Sequence, residues 1–209
     1  MRASFQPQEA AMSLTIYGDP ISGNCLKVKW TADRLGLKYQ WVDIDVLGGG
    51  ARTAAFRQLN PAAQVPTVVL SDGRTLAQSN AIILHLAEGT SLIPTDSYLK
   101  AKMFEWMFWE QYSHEPYVAV RRFHMAYLGK PEAELDPRLE ERGHAALARM
   151  ESWLSGADYL VGEGLSLADI ALVAYTRVAH EGGFDIRAYP GVDAWVKRVE
   201  GDLAIPSAR

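Results

Sequence analysis

A single cysteine, Cys25, in a chain of 209 residues excludes an intrachain disulfide and a cluster of cysteine metal ligands. Histidine is nearly as scarce. The five residues at 85, 114, 124, 144 and 180 form no ligand pair flanked by carboxylates, so no metal is expected. No apolar run approaches the length that spans a bilayer, and no membrane partner is expected. A basic stripe is missing too: Lys/Arg and Asp/Glu number eight and seven over residues 1–92, then thirteen and eighteen over 93–209. The resulting net charge of −4 gives nucleic acid nothing to follow. Residues 1–12 lack the continuous apolar core of a signal peptide and are expected to be disordered, with Met12 a candidate start. A cytoplasmic location follows by default. What remains, 48% hydrophobic and 22% charged, is the composition of a globular protein with room for one large domain or two small ones.

The most informative residues stand where a strand meets a helix. Leu14-Thr15-Ile16-Tyr17 is apolar and partly β-branched and reads as a buried strand. Gly18-Asp19-Pro20-Ile21-Ser22-Gly23-Asn24 breaks it with turn formers, and from Cys25 the apolar residues Val28, Ala32 and Leu35 recur at helical spacing. Ser22 and Asn24 are thereby set beside the unsatisfied amides of a helix start. Two roles suit them: capping the helix, or holding an anionic group next to a weak hydrogen-bond donor.

Further along, Gly36 predicts a helix C-cap and residues 39–43 alternate like a second strand. Three glycines (48–50) precede a short helix that Asn60-Pro61 ends. Residues 65–70 run from a loop into a strand, Ser71-Asp72-Gly73 is a hairpin turn, and a return strand leads to a helix over 78–86. The order β-α-β-α-β-β-α is an α/β unit. Residues 88–97, rich in Gly, Pro, Ser, Thr and Asp, read as a linker. Beyond them only helices are predicted: a long aromatic-rich one over 98–128 kinked at Pro116, then 139–154, 166–180 and 190–199. Ser166 and Asp169 form a capping box for the most apolar of these, which should be the central buried element.

These pieces taken together resemble the glutathione transferase superfamily: the strand, turn, Ser22 and helix; then Asn60-Pro61-Ala62-Ala63-Gln64-Val65-Pro66; then Gln78-Ser79-Asn80; then the Ser166/Asp169 cap. The match runs from Leu14 to Gly201 and is to bacterial cytosolic members of the serine or asparagine type, not the tyrosine type. It implies a thioredoxin-like N-terminal domain (13–88) and an all-α C-terminal helical domain (98–209) that lines the second-substrate pocket. Pro66 would be cis, with glutathione lying along Val65, whose amide and carbonyl can pair with the peptide as a short antiparallel strand. Gln78 and Ser79 would hold the γ-glutamyl end, Gln78 standing where the family usually has an acid. Arg52, Gln64 and Asn80 are lesser candidates for the same ligand. Ser22, with Asn24 beside it, would lower the thiol pKa so that the thiolate attacks a small electrophile. Tyr112, Tyr117 and Arg121 are the candidates for orienting that substrate.

The implied protein is a homodimeric glutathione transferase with glutathione as co-substrate. Two alternatives stand beside it: a glutathione-dependent disulfide reductase or peroxidase, and a non-catalytic glutathione-binding or structural protein. A redox role through Cys25 would require that thiol to be exposed and acidic, whereas its place in the first helical turn favours burial against the sheet.

Overall fold

A computed structural model describes residues 14–208; the segment 1–12, expected above to be disordered, lies outside the described residues. Four strands, β1 (Leu14–Gly18), β2 (Tyr39–Asp43), β3 (Thr67–Val69) and β4 (Thr75–Ala77), form one sheet in the order β2-β1-β3-β4. β1 runs parallel to β2 with Ile16 opposite Trp41, and antiparallel to β3 with Ile16 opposite Val68. The parallel pair needs a crossover, which α1 (Gly23–Arg34) supplies. At its end Gly36 takes φ +64°, the left-handed conformation that closes a helix, and its amide bonds Asp33 O at 3.0 Å. α2 (Ala54–Leu59) is capped by Thr53, and α3 (Ser79–Leu86) packs beside α1. The hairpin over Ser71-Asp72-Gly73 forms as expected.

The second half is helical: α4 (Ser97–Trp109), α5 (Glu115–Arg122), α6 (Pro137–Leu154), α7 (Leu167–Thr176) and α8 (Pro190–Asp202). Between α4 and α5 lies a π-helical turn, Glu110–His114, and a second one, Phe123–Tyr127, follows α5. Pro116 explains the first. It has no N–H to give Tyr112 O, and in a regular helix its ring would strike that carbonyl. The chain widens by a residue instead of breaking. All ten residues of α7 are buried, and the predicted capping box is present: Asp169 Oδ2 accepts from the Ser166 amide at 2.9 Å and its hydroxyl at 2.7 Å. α7 stops at Thr176, short of the predicted 180, and a 3-10 turn (Ala179–Gly182) follows.

Residues 88–96 are more than a tether. Leu92 and Ile93 are buried, and Leu92 O accepts the Leu167 amide at 3.0 Å, pinning this segment to the start of α7. α7 in turn packs on α1, so one apolar core continues from Ile16, Val28 and Ile82 through to Leu172 and Trp195. This contact fixes the helical half against the first β–α corner.

Candidate functional site

A cavity of about 490 Å³ opens where that corner faces α5. Ser22 is the N-cap of α1, in extended conformation, and its Oγ accepts the Cys25 amide at 3.4 Å. The turn before it is braced by the buried Asp19, whose carboxylate takes the amides of Ile21 (3.0 Å) and Val46 (2.9 Å).

Across from Ser22 the Val65–Pro66 peptide is cis, and Gln64, Val65 and Pro66 all border the cavity. Asn60 holds this loop by donating to Gln64 O at 2.8 Å and to Thr67 Oγ1 at 3.1 Å. Among the described residues no hydrogen bond uses the Val65 amide or carbonyl, a strand edge left open beside the cavity. Gln78 and Ser79 close this side. Gln78 takes φ +71°, a conformation L residues rarely hold, found where the surroundings impose it. Ser79 opens α3, whose first amides have no helical partner.

Asn24 also borders the cavity, but its carboxamide is spent inside the protein. Its Oδ1 accepts from Lys27 Nζ and from Ser79 Oγ, both at 2.8 Å, and its Nδ2 donates to Glu115 Oε1 at 2.7 Å. A lysine can only donate, which fixes the orientation of the amide. Lys27 is fully buried and also pairs with Glu110 at 2.8 Å and Glu115 at 3.6 Å. Burial holds the Glu115 carboxyl above its ordinary range, with Lys27 pulling it down and Glu110 pushing it up. This polar cluster ties α1 and α3 to the π-turn of the helical half.

The helical wall of the cavity comes from Gln111, Glu115, Ala119, Val120 and Phe123, with Arg122, Tyr127 and Tyr175. Arg122 donates to Ile21 O (2.9 Å), Glu181 (2.7 Å) and Tyr127 Oη (2.6 Å), so one guanidinium joins the wall to the corner. Three of the residues considered for this wall lie elsewhere. Tyr112 is 83% exposed on the outer surface, and Tyr117 does not reach the cavity. Arg121 points the other way and is buried against Gly182 O and Glu132. Of the lesser ligand candidates, Gln64 borders the cavity, but Arg52 is exposed beside it with only its neighbour Ala51 in the wall. Asn80 turns inward to Met107 O and Glu110. Cys25 is wholly buried and desolvation pushes its thiol up to about 11, so it stays protonated at neutral pH.

A thioredoxin-like sheet joined to a helical half, with a polar cleft between them walled by a cis-proline loop, defines a class of two-part proteins with an α/β unit set against a helical one. Comparison with known proteins makes that specific. The glutathione S-transferase N-terminal domain matches residues 21–88, and the glutathione S-transferase C-terminal domain matches 106–202. The structure is similar to a glutathione S-transferase of Pseudomonas fluorescens at 47% identity, covering 94% of this chain and 99% of that one, with a TM-score of 0.89. A glutathione S-transferase of Xanthobacter autotrophicus is similar at 44% identity, over 94% and 96% of the two chains, with a TM-score of 0.86. Glutathione S-transferase theta-1 of Mus musculus is 29% identical over 202 residues, covering 90% of this chain and 83% of that protein. The chain belongs to the glutathione S-transferase family.

Proposed function

We propose that this chain is a serine-type glutathione transferase that ionises the glutathione thiol at Ser22 and directs it at a small electrophile. The observation that carries this reading is the convergence of Ser22, the open backbone of Val65 and the start of α3 on one cavity. The peptide's cysteinyl unit pairs with the Val65 amide and carbonyl. Its γ-glutamyl carboxylate meets the free amides at the start of α3, because the Ser79 hydroxyl hydrogen is directed at Asn24. The Gln78 side chain offers an acceptor for the ammonium. Ser22 then lies at the sulfur, where its hydroxyl and the amide end of α1 favour the thiolate over a thiol that in water ionises only near pH 8.5. Asn24 orients Ser79 and Glu115 and leaves the sulfur to Ser22.

The electrophile faces a wall that is apolar at Ala119, Val120 and Phe123 and polar at Gln111 and Tyr127, suited to varied small substrates. We also propose a two-fold homodimer. Phe108 and Tyr112, four residues apart on the outside of the α4 region, are 72% and 83% exposed, and the half-buried Phe104 stacks on Phe108 beside them. A permanent interface of about 2,000 Å² would cover such a stripe. The reading places the enzyme in the cytoplasm, where thiols are kept reduced.

The test is calorimetric titration with glutathione, then assay against an aryl halide, an organic hydroperoxide and a mixed disulfide. Saturable binding in the millimolar range or tighter and turnover of the aryl halide are expected, with Ser22→Ala losing kcat more than affinity. Turnover of only the disulfide or the peroxide would make the protein a reductase or peroxidase. Binding without any turnover would make it a non-catalytic glutathione-binding protein, and absence of binding would reject all three.

A further inference from the structure

One buried polar group at the cavity has no part in that mechanism. Tyr175 sits on α7, whose remaining residues are almost all apolar, and its ring rests directly on the first residue of α1. A Cβ at Gly23 would come within 2.7 Å of the ring, so only glycine lets the phenol stand there. The Tyr175 hydroxyl accepts the Asn24 amide at 3.2 Å, and Ser22 Oγ accepts the next amide, that of Cys25, at 3.4 Å, so the two oxygens share the first turn of α1. Both residues border the cavity. Packing alone does not ask for the hydroxyl: phenylalanine would fill the same space without the cost of desolvating a polar atom.

Counting donors and lone pairs gives the hydroxyl a task. Ser22 Oγ has one hydrogen and two lone pairs, and the Cys25 amide occupies one lone pair. Tyr175 Oη takes the Asn24 amide on a lone pair, so its own hydrogen is the mobile one. With the cavity empty of an anion, Ser22 can point its hydrogen at Tyr175. With a thiolate present, the Ser22 hydrogen is wanted at the sulfur, and the Tyr175 hydrogen can fill the lone pair left behind. We infer that Tyr175 is a positioning residue, donating to Ser22 Oγ when the thiolate forms and so turning the Ser22 hydrogen onto the sulfur. Two hydrogen bonds in series polarise each other, which makes Ser22 a stronger donor than it would be alone. The phenol is suited to this because it stays protonated. Burial and the Glu115 charge hold its ionisation far above the ordinary range, with the Asn24 amide and Ser22 pulling the other way. Lys27, whose Nζ lies 5.7 Å from the ring centre, and the buried Cys25 are the other titratable groups facing it.

This inference rests on the reading of Ser22 as the thiol donor, and the experiment separates the two. Four full-length proteins are compared: the parent, Ser22→Ala, Tyr175→Phe and the double variant. The thiol pKa of bound glutathione is read from thiolate absorbance across pH, alongside glutathione affinity and the pH profile of kcat/KM with an aryl halide. Tyr175→Phe should raise the bound thiol pKa and lower kcat/KM below that pKa by about three- to tenfold, the loss of one hydrogen bond, with affinity unchanged. The double variant should be no worse than Ser22→Ala. An unmoved pKa in Tyr175→Phe beside a raised one in Ser22→Ala would overturn the role of Tyr175 and leave Ser22 standing. Additive losses in the double variant would overturn action through Ser22. An unmoved pKa in Ser22→Ala would reject the thiol-donor reading itself, and this inference with it. Gly23→Ala, which pushes the phenol aside without deleting it, should reproduce the Tyr175→Phe shift, and an unmoved pKa there also counts against the inference.

Discussion

Replacing Lys27 with methionine keeps the length of the side chain and removes its charge. The ammonium has no exposed surface and is held at 2.8 Å by both Glu110 and Asn24 and at 3.6 Å by Glu115. Glu110 is equally buried, so Lys27→Met strands a carboxylate without its cation and Asn24 Oδ1 without one of its two donors. Removing one partner of a buried pair costs about 3–5 kcal/mol. In a chain of this size that is a fall in Tm of about 6–20 °C. The deficit should depend on pH. Burial already holds Glu115 above the ordinary carboxylate range, and Lys27 is the group pulling it back down, so its loss raises the carboxyl further. A carboxyl whose pKa is raised by folding favours the fold when protonated and disfavours it as pH climbs through the folded value. The deficit is therefore largest at neutral pH and shrinks toward pH 4.5. Urea melts of parent and variant at both pH values measure it. Adding Glu110→Gln, which removes the stranded charge, should recover more than half of the loss. A deficit under about 1 kcal/mol at pH 7, the size of an unremarkable substitution, or one identical at both pH values, would refute the assignment of this pair as the charged joint between the two halves.

His114 is fully buried and, chiefly through burial and then through Lys27, its imidazole is held down to about 3. The unfolded chain takes up that proton near 6.5, so its stabilising contribution is complete above 6.5 and drains away toward pH 3 at up to about 1.4 kcal/mol per pH unit. His114→Gln should flatten the pH dependence of Tm in that window, and an unchanged slope would contradict it. Asp169 accepts from the Leu160 amide, the Ser166 amide and hydroxyl, and Trp195 Nε1. Asp169→Ala strands these donors and should cost at least roughly 3 kcal/mol in a denaturant melt, and a loss within about 0.5 kcal/mol, as for a surface change, would refute it. Light scattering should give twice the chain mass of 23.1 kDa for the parent, falling toward one chain in Phe108→Glu. A single-chain mass for the parent at micromolar concentration would reject the dimer.

The strands, the hairpin and the capping box were legible because each is written locally. Leu14-Thr15-Ile16-Tyr17 carries its own strand propensity, Ser71-Asp72-Gly73 its turn, and Ser166 and Asp169 stand three apart where a box requires them. Ser22, Val65 and Ser79 were legible through the family pattern, and the structure brings them to one cavity. The helical wall was not. Tyr112, Tyr117 and Arg121 have the chemistry for it, but which side chains face the cleft depends on helical phase. Pro116 and its π-turn reset that phase, so Gln111, Glu115 and Arg122 face inward instead. Lys27 and Glu110 look like solvated charges in the sequence, and only the packing of α1 against the π-turn makes them a buried pair. Tyr175 was hidden for the opposite reason, since inside so apolar a helix its hydroxyl gives no local sign of a partner.

The π-turn at Glu110–His114 also bears on how this protein could change. A residue removed from a regular helix rotates everything beyond it by about 100°. Deleting one position within 111–113 would return the turn to regular α-helix and leave Ala119, Arg122, Phe123 and Tyr127 on the cleft, because the bulge already absorbs that residue. Deleting one within 117–118 would instead swing them off it together and leave Ser22, Val65 and Ser79 untouched on the other side. The face that the helical half offers to the cleft is therefore held as a single angular setting, and the loss of one codon in α5 would exchange the whole wall at a stroke while the opposite side of the cleft remained as it is.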